Sequence, residues 1–376
     1  MIEGFSGINV IDFTTGDSGL ICAEYLAMAG MRVIRIDSPH NNSLEEDRYS
    51  FIANNLNKHC VTLDVENSTG LELFQRLIEK ADVLIENRSN GEMERLGIGY
   101  NNVKKLNPRL IYASIKPYAK GSPWQDCPAD RFTVSAMSGA TYLCGYMGGV
   151  PVEPGPDLPD VTSCAFAATG IAAALYQREL TGKGQFLEVS QQDSVIAHSR
   201  SAYESFHNNK RNIRVGNAFP TLPDMIPMEL FKTKGGADDW VIIGCLGQEM
   251  FELLCKAMEM PELITDPRFV DFAARSKNRD EIMEIISEWT SDKDKFKVMD
   301  ILLRKNRVVC SAVYSLEECI NAEDLRSMGF IQKIEDPECG DMWLPAFPAI
   351  YSEIEVNLRS PSFADAGDES VLEDNL

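Results

Sequence analysis

Histidine is scarce in this chain of 376 residues: only His40, His59, His198 and His207 occur. None stands in a recognisable catalytic context, and no Gly-x-Ser-x-Gly turn exists from which a Ser–His–Asp triad could start. Imidazole catalysis is therefore a poor expectation, and carboxylates become the better one. Cations are short too, with 36 Lys and Arg against 57 Asp and Glu, a formal charge of −21. Long-range repulsion then argues against a nucleic acid or an anionic membrane as partner. A small anionic ligand is still allowed, because a local basic pocket suffices. The ten cysteines form no Cys-x-x-Cys pair and no Cys/His cluster of metal-ligand spacing. A disulfide framework or a metal site is thereby not expected, and buried reduced thiols are the simplest reading. No long apolar run is present either. The longest, Val161 to Tyr176, is interrupted by Thr, Ser and Gly and is short for a bilayer span, so it reads as a buried helix. The first residues, MIEGFSGINVIDF, lack a basic stretch and a long apolar core, so no signal peptide and a cytoplasmic setting are expected.

What is present is a recurring strand–helix pattern. Ile8 to Phe13 reads as a buried strand, Gly16 to Gly19 as a turn, Leu20 to Ala29 as a helix with Gly30 beyond its end, and Arg32 to Asp37 as a second strand. Such βαβ units imply a parallel sheet. Further strands are expected at Cys60–Asp64, Asp82–Ile85, Leu110–Ile115 and Phe186–Ser190. Helices are expected at Leu71–Lys80 and Tyr100–Leu106, and a long alanine-rich one from Asp160 to about Leu180. The polar, proline-rich stretch after Phe206 reads as a linker. The expected organisation is a large domain over 1–205, a linker over 206–225, a smaller α+β domain over 226–315, and a return to the large domain over 316–376 with an acidic tail.

Two features invite a chemical reading. TTGDSGL follows a strand, and Asp37 ends the next strand, as in dinucleotide-binding folds; but the Gly-x-G-x-x-G pattern is incomplete and the signal is weak. Asp160 stands where the alanine-rich helix begins. Taken alone it reads as a helix N-cap, a position that stabilises its charge. An ionised carboxylate walled by apolar residues is also a competent nucleophile toward a thioester carbonyl.

At this point the chain resembles the family III CoA-transferases. The resemblance rests on GINVIDFT, VIRID, NNLNKHCVTLDV, EKADVLIENRSNGEMERLGIGY, LNPRLIYASIKPYAKGSP and the Asp160 helix with RELTGKGQ, in this order and spacing. It implies a Rossmann-like large domain with a smaller second domain, in an interlocked homodimer, with a heteromer as the alternative. It implies a CoA-transferase with Asp160 as nucleophile, passing through an aspartyl anhydride and an aspartyl-CoA thioester. No tightly bound cofactor is implied; coenzyme A enters as part of the acyl-CoA substrate, and a small carboxylic acid is the acceptor. The residues that match for CoA binding are the turn Thr15, Gly16, Asp17 and Ser18, with Leu63, Asn87, Arg95 and Leu96. Arg95 would pair with phosphate; its blander reading is a solvated charge at a helix end. Lys58 matches a frequent Asn-Lys pair and is read as functional or structural. RVGNAF, with Gly216 and Asn217, is similar to the family's mobile glycine loop but shorter, and also reads as a plain linker turn.

The chain departs from the family in four places. Gly19-Leu20 replaces a Gly-Pro, Ser38 replaces a common basic residue, and Asp17 stands where one branch carries a neutral glutamine. The C-terminal Gly-Glu-His is here Gly367, Asp368 and Glu369. Two rivals follow. A racemase of the same fold would need a histidine in the segment PADRF, where this chain has Ala129 and Asp130. A CoA-binding subunit without its own catalysis is the other.

Overall fold

The computed structural model describes residues 5, 7–39, 47–146, 148–209, 214 and 226–364. The chain divides into two units. One comprises residues 1–140, 153–199 and 320–376; the other comprises 141–152 and 200–319.

The first unit is built on a seven-stranded sheet. Its first six strands are β1 (Asn9–Phe13), β2 (Arg32–Asp37), β3 (His59–Thr62), β4 (Val83–Glu86), β5 (Ile111–Lys116) and β6 (Phe186–Ser190). Strand order is β3-β2-β1-β4-β5-β6, all parallel, with Ser362–Ala364 added beside β3. This is the doubly wound order, in which the chain reverses direction across the sheet between β1 and β4. Ligands of such sheets bind beyond the carboxyl ends of the strands at that point.

Helices cover both faces. Those that frame the sheet and the site are, in chain order, α1 (Asp17–Met28), α2 (Ser68–Lys80), α3 (Glu92–Arg95), α4 (Tyr100–Leu106), α5 (Arg131–Ser138), α6 (Leu158–Thr181) and α7 (Gln191–His198). Strand alternation sorts the core into two layers. Val10, Val33, Val83, Ile85, Ile111 and Ala113 meet Cys22 and Ala23 of α1 and Cys164, Ala167 and Ile171 of α6. Ile11, Phe13, Ile34, Ile36 and Leu84 meet Phe74, Leu77 and Ile78 of α2 on the other side. Helix α6 is long and apolar enough by composition to cross a membrane. Its Cys164, Ala167, Ile171 and Ala174 are spent in the protein core instead.

Two helix starts differ from the sequence expectation. Helix α1 begins at Asp17, so the expected turn Gly16–Gly19 shrinks to Gly16, with φ at 70°, and the next residues are already helical. Helix α6 begins at Leu158, with Asp157 as its cap residue and Pro159 in its first turn. Proline is pre-set for a helix start and lacks an N–H that would go unpaired there. The helix therefore starts before Pro159 rather than after it, and Asp160 is its third residue, not its cap.

The second unit holds an antiparallel sheet of β7 (Met228–Lys232), β8 (Trp240–Gly244) and β9 (Val309–Ala312). Its core joins Val241 and Ile243 to Phe251 and Leu254 of one helix and to Ile282 and Ile286 of another. In the first unit, the strand at Ile331–Asp336 pairs, among the described residues, with Gly340–Pro345, in a hairpin separate from the parallel sheet.

Candidate active site

The side chain of Asp160 is buried, with 6% of its surface exposed. It lies in the first turn of a helix of 24 residues, the end at which the helix dipole attracts an anion. Asp157, at the cap, is occupied by an ion pair with Arg131 at 2.7 Å. Asp160 Oδ1 accepts a hydrogen bond of 2.6 Å from Gln191 Nε2. Gln191 opens α7 immediately beyond the carboxyl end of β6. The carboxylate thus lies at the carboxyl edge of the sheet. Sequence reading missed Gln191: it is 31 residues from Asp160 and belongs to no motif. The signal that could have found it is its place, one residue past a strand end on the ligand-binding edge.

One turn after Asp160, Cys164 is fully buried. Burial first, and then the Asp160 charge, push its thiol up to about 12. Cys22, facing it from α1, is raised as well, chiefly by burial. Both thiols stay protonated at neutral pH and are poor nucleophiles.

A second grouping lies at the β1–β4 reversal. The Thr15 N–H donates to Asn87 Oδ1 at 2.7 Å, and Asn87 Nδ2 donates back to the Thr15 carbonyl. Asn87 follows β4 directly, so this pair bridges the two strand ends at the switch point. Gly16 caps α1 without a side-chain hydrogen bond, which leaves first-turn N–H groups of α1 without a side-chain cap. Asp17 and Ser18 are the first two residues of that helix.

Leu63, Leu96 and Arg95 form a third grouping. Leu63 belongs to the buried core beside α2, and Leu96 packs against the same core. Arg95 is 64% exposed and sits 3.4 Å from Glu66, itself 62% exposed. Such a surface pair is weak, about 0–1 kcal/mol, so the guanidinium is cheaply reassigned to another anion. Gly216 and Asn217 lie outside the described residues. Asp130 caps α5, its carboxylate accepting from the Thr133 N–H at 2.8 Å and hydroxyl at 2.9 Å. Those hydrogen bonds hold it below the usual carboxylate range.

Under the Thr15 turn lies a buried polar network. Lys58 and Asp12 have no exposed side-chain surface and pair at 3.0 Å. Lys58 Nζ also donates to the Leu20 carbonyl at 2.9 Å, and Asp12 Oδ1 accepts from the Thr14 hydroxyl at 2.6 Å. Glu24, one turn further along α1, is 7% exposed, and burial raises its carboxyl to about 7, partly offset by attraction to Lys58. A carboxyl with a raised folded-state pKa binds protons better folded than unfolded, so stability falls as pH climbs from about 4.5 to 7. Glu24→Gln is accordingly expected to be neutral near pH 4 and to stabilise at pH 8, by on the order of 2–3 kcal/mol. Urea unfolding at the two pH values checks this, and an equal effect at both would refute it.

The fold has close counterparts among solved structures. A CAIB/BAIF family protein from Brucella suis superposes with a TM-score of 0.85 at 24% identity, covering 98% of each chain. Rv3272 from M. tuberculosis does so with 0.82 at 23% identity, covering 97% of each. The chain belongs to the CoA-transferase family III, whose description matches residues 5–365. Named relatives include the formyl-CoA:oxalate CoA-transferase of Rhodopseudomonas palustris (strain BisB18), 30% identical over an alignment of 398 positions, gaps included, that spans 98% of this chain and 92% of the relative. The enzyme of the same name from Bradyrhizobium diazoefficiens is also 30% identical, over 98% of this chain and 93% of its own.

Proposed function

We propose that this chain moves coenzyme A from an acyl-CoA thioester to a small carboxylic acid, with Asp160 as the covalent nucleophile. The observation that carries this reading is the Asp160 carboxylate, buried in the first turn of α6 at the carboxyl edge of the sheet. Its attack on the thioester carbonyl would expel the CoA thiolate and leave a mixed anhydride. The thiolate would then add to the aspartyl carbonyl, releasing the donor's carboxylate and forming an aspartyl-CoA thioester. The acceptor carboxylate repeats the sequence in reverse and regenerates Asp160. Burial supports the reading, because an anhydride survives only where water is excluded.

The Thr15–Ser18 turn, Asn87 and Arg95 are proposed to hold coenzyme A. First-turn N–H groups of α1 without a side-chain cap suit phosphate, and an exposed guanidinium suits it too. Leu63 and Leu96 would serve from the core beneath, as apolar floor. The relatives named above act on formyl-CoA and oxalate by their names; here the proposal stops at an acyl-CoA and a carboxylic acid. A homodimer fits the outward face of α6, where Phe166, Tyr176 and Leu180 are 46%, 70% and 71% exposed. A cytoplasmic setting fits ten cysteines that form no disulfide with one another.

The test is chemical trapping. Acyl-CoA with hydroxylamine, or with borohydride, is expected to modify Asp160, as located by peptide mass spectrometry. A label on any other residue would remove the assignment.

A further inference from the structure

The aspartyl group in this reaction has two lives. It is first a nucleophile, and then twice the electrophile, when the thiolate and later the acceptor carboxylate add to its carbonyl carbon. A nucleophile needs an ionised oxygen. An electrophile needs a donor where the oxyanion of the tetrahedral intermediate will form. The structure holds such a donor against the reacting group itself.

We propose that Gln191 is a catalytic residue, the oxyanion donor for every addition to the Asp160 carbonyl carbon. Its Nε2 lies 2.6 Å from Asp160 Oδ1. A carboxylate only accepts, so the amide nitrogen must face it. Gln191 is 7% exposed, which makes the donor nearly dry and correspondingly strong. The backbone around it is pinned from several sides. Ser190 is registered on Lys116 in the sheet, and Ser194 Oγ donates to the Ser190 carbonyl at 2.6 Å. The Gln192 N–H donates to the Pro117 carbonyl at 3.1 Å, and the Gln192 side chain to the Met137 carbonyl at 3.2 Å. A donor fixed before the reaction needs no rearrangement when charge appears.

The bond changes place the charge on that oxygen. With Asp160 attacking through its other oxygen, Oδ1 becomes the carbonyl oxygen of the anhydride. When the CoA thiolate adds to the aspartyl carbon, the C=O electron pair moves onto Oδ1. Collapse restores the carbonyl, breaks the bond to the bridging oxygen and releases the donor's carboxylate with that oxygen. Acceptor addition to the aspartyl-CoA thioester moves the pair onto Oδ1 again, and collapse expels the thiolate. Gln191 meets both oxyanions without moving. It does not assist the first attack: in the free carboxylate its hydrogen bond withdraws charge from the nucleophile.

This rests on the Asp160 reading, and the experiment separates the two. Gln191→Leu and the near-isosteric Gln191→Met are mixed with acyl-CoA, quenched at intervals and trapped with hydroxylamine, alongside steady-state turnover with acceptor. Label is expected to reach Asp160 within about threefold of the wild-type rate. Turnover is expected to fall about 100-fold, the scale of a lost oxyanion donor, so the adduct accumulates. If both variants turn over within threefold of wild type, the Gln191 role is wrong and Asp160 stands. If labelling slows in parallel with turnover, Gln191 only positions the carboxylate and the role is again wrong. If the wild type turns over with no label on Asp160, both readings fall. The Met variant, matched in length, keeps the test available if the Leu variant does not fold.

Discussion

Asp160→Ala is expected to abolish CoA transfer, by about 10⁴-fold or more, because it removes the carboxylate proposed to carry the acyl group. The two nearest thiols are held protonated by burial, Cys164 at about 12 and Cys22 raised in the same direction. The fold should persist. Asp160 sits in the first turn of α6, and the helix continues for 21 residues beyond it through the core. Alanine does leave the Gln191 amide without its acceptor, at about 1–3 kcal/mol. Asp160→Asn is the cleaner variant, since its side-chain oxygen can still accept from Gln191. Both should bind acyl-CoA and neither should release free thiol. Equilibrium binding beside a transfer assay reads the two apart. Near-normal transfer by either variant would remove Asp160 from the mechanism.

Much of the fold is written locally. Arg32–Asp37, Tyr100–Leu106 and Phe186–Ser190 have the same bounds in structure and in sequence reading, because buried parallel strands and short amphipathic helices announce themselves in their own residues. The strand Ser362–Ala364 does not. Three residues carry little pattern, and their partner β3 is some three hundred positions away. The site divides in the same way. Asp160 was legible through the helix it opens, but its place as third residue rather than cap depended on which side of Pro159 the helix begins. For Gln191 only its place past a strand end was legible and its partner was not, since the return of β6 beside α6 brings it to Asp160. The Thr15–Asn87 bridge is of that kind too, made by the reversal of strand order between β1 and β4. Local signals thus yield the carboxylate and the turn. The donor that meets the carboxylate exists only once the sheet is assembled.

The buried polar network beneath the turn is expected to be sensitive to loss of any one partner. Asp12, Arg35 and Asp37 alternate with apolar residues in β1 and β2 and point to the α1 face, where a sheet of this kind would ordinarily place valine or isoleucine. Lys58 completes the group, and Arg35 stands 3.9 Å from Asp12 while binding Asp37 at 2.7 Å. Burying charge costs several kcal/mol per ion, and an apolar cluster of equal volume would be at least as stable. The stabilisation therefore depends on each partner being present. Lys58→Met removes a side chain that joins Asp12 to the Leu20 carbonyl, and leaves the Asp12 charge with its Thr14 hydrogen bonds and Arg35, whose Nε and Nη2 bind Asp37 and whose Nη1 stands 3.9 Å away. Its expected cost is about 3–5 kcal/mol. Adding Asp12→Asn to that variant removes the stranded charge and should restore most of the loss. Urea unfolding gives both numbers, provided the slope against urea is unchanged. A single variant within about 1 kcal/mol of wild type, or a double variant no better than the single, would overturn the account. The network also grips both flanks of the Thr15 turn, with Thr14 on Asp12 and Leu20 on Lys58. A Cβ at Gly19 would fall 2.3 Å from the Thr14 side chain, so the turn is closed from within as well. Charges in this core are thus placed where an apolar contact could supply equal stability but could not hold a carbonyl and a hydroxyl in register at the edge where substrate is proposed to bind.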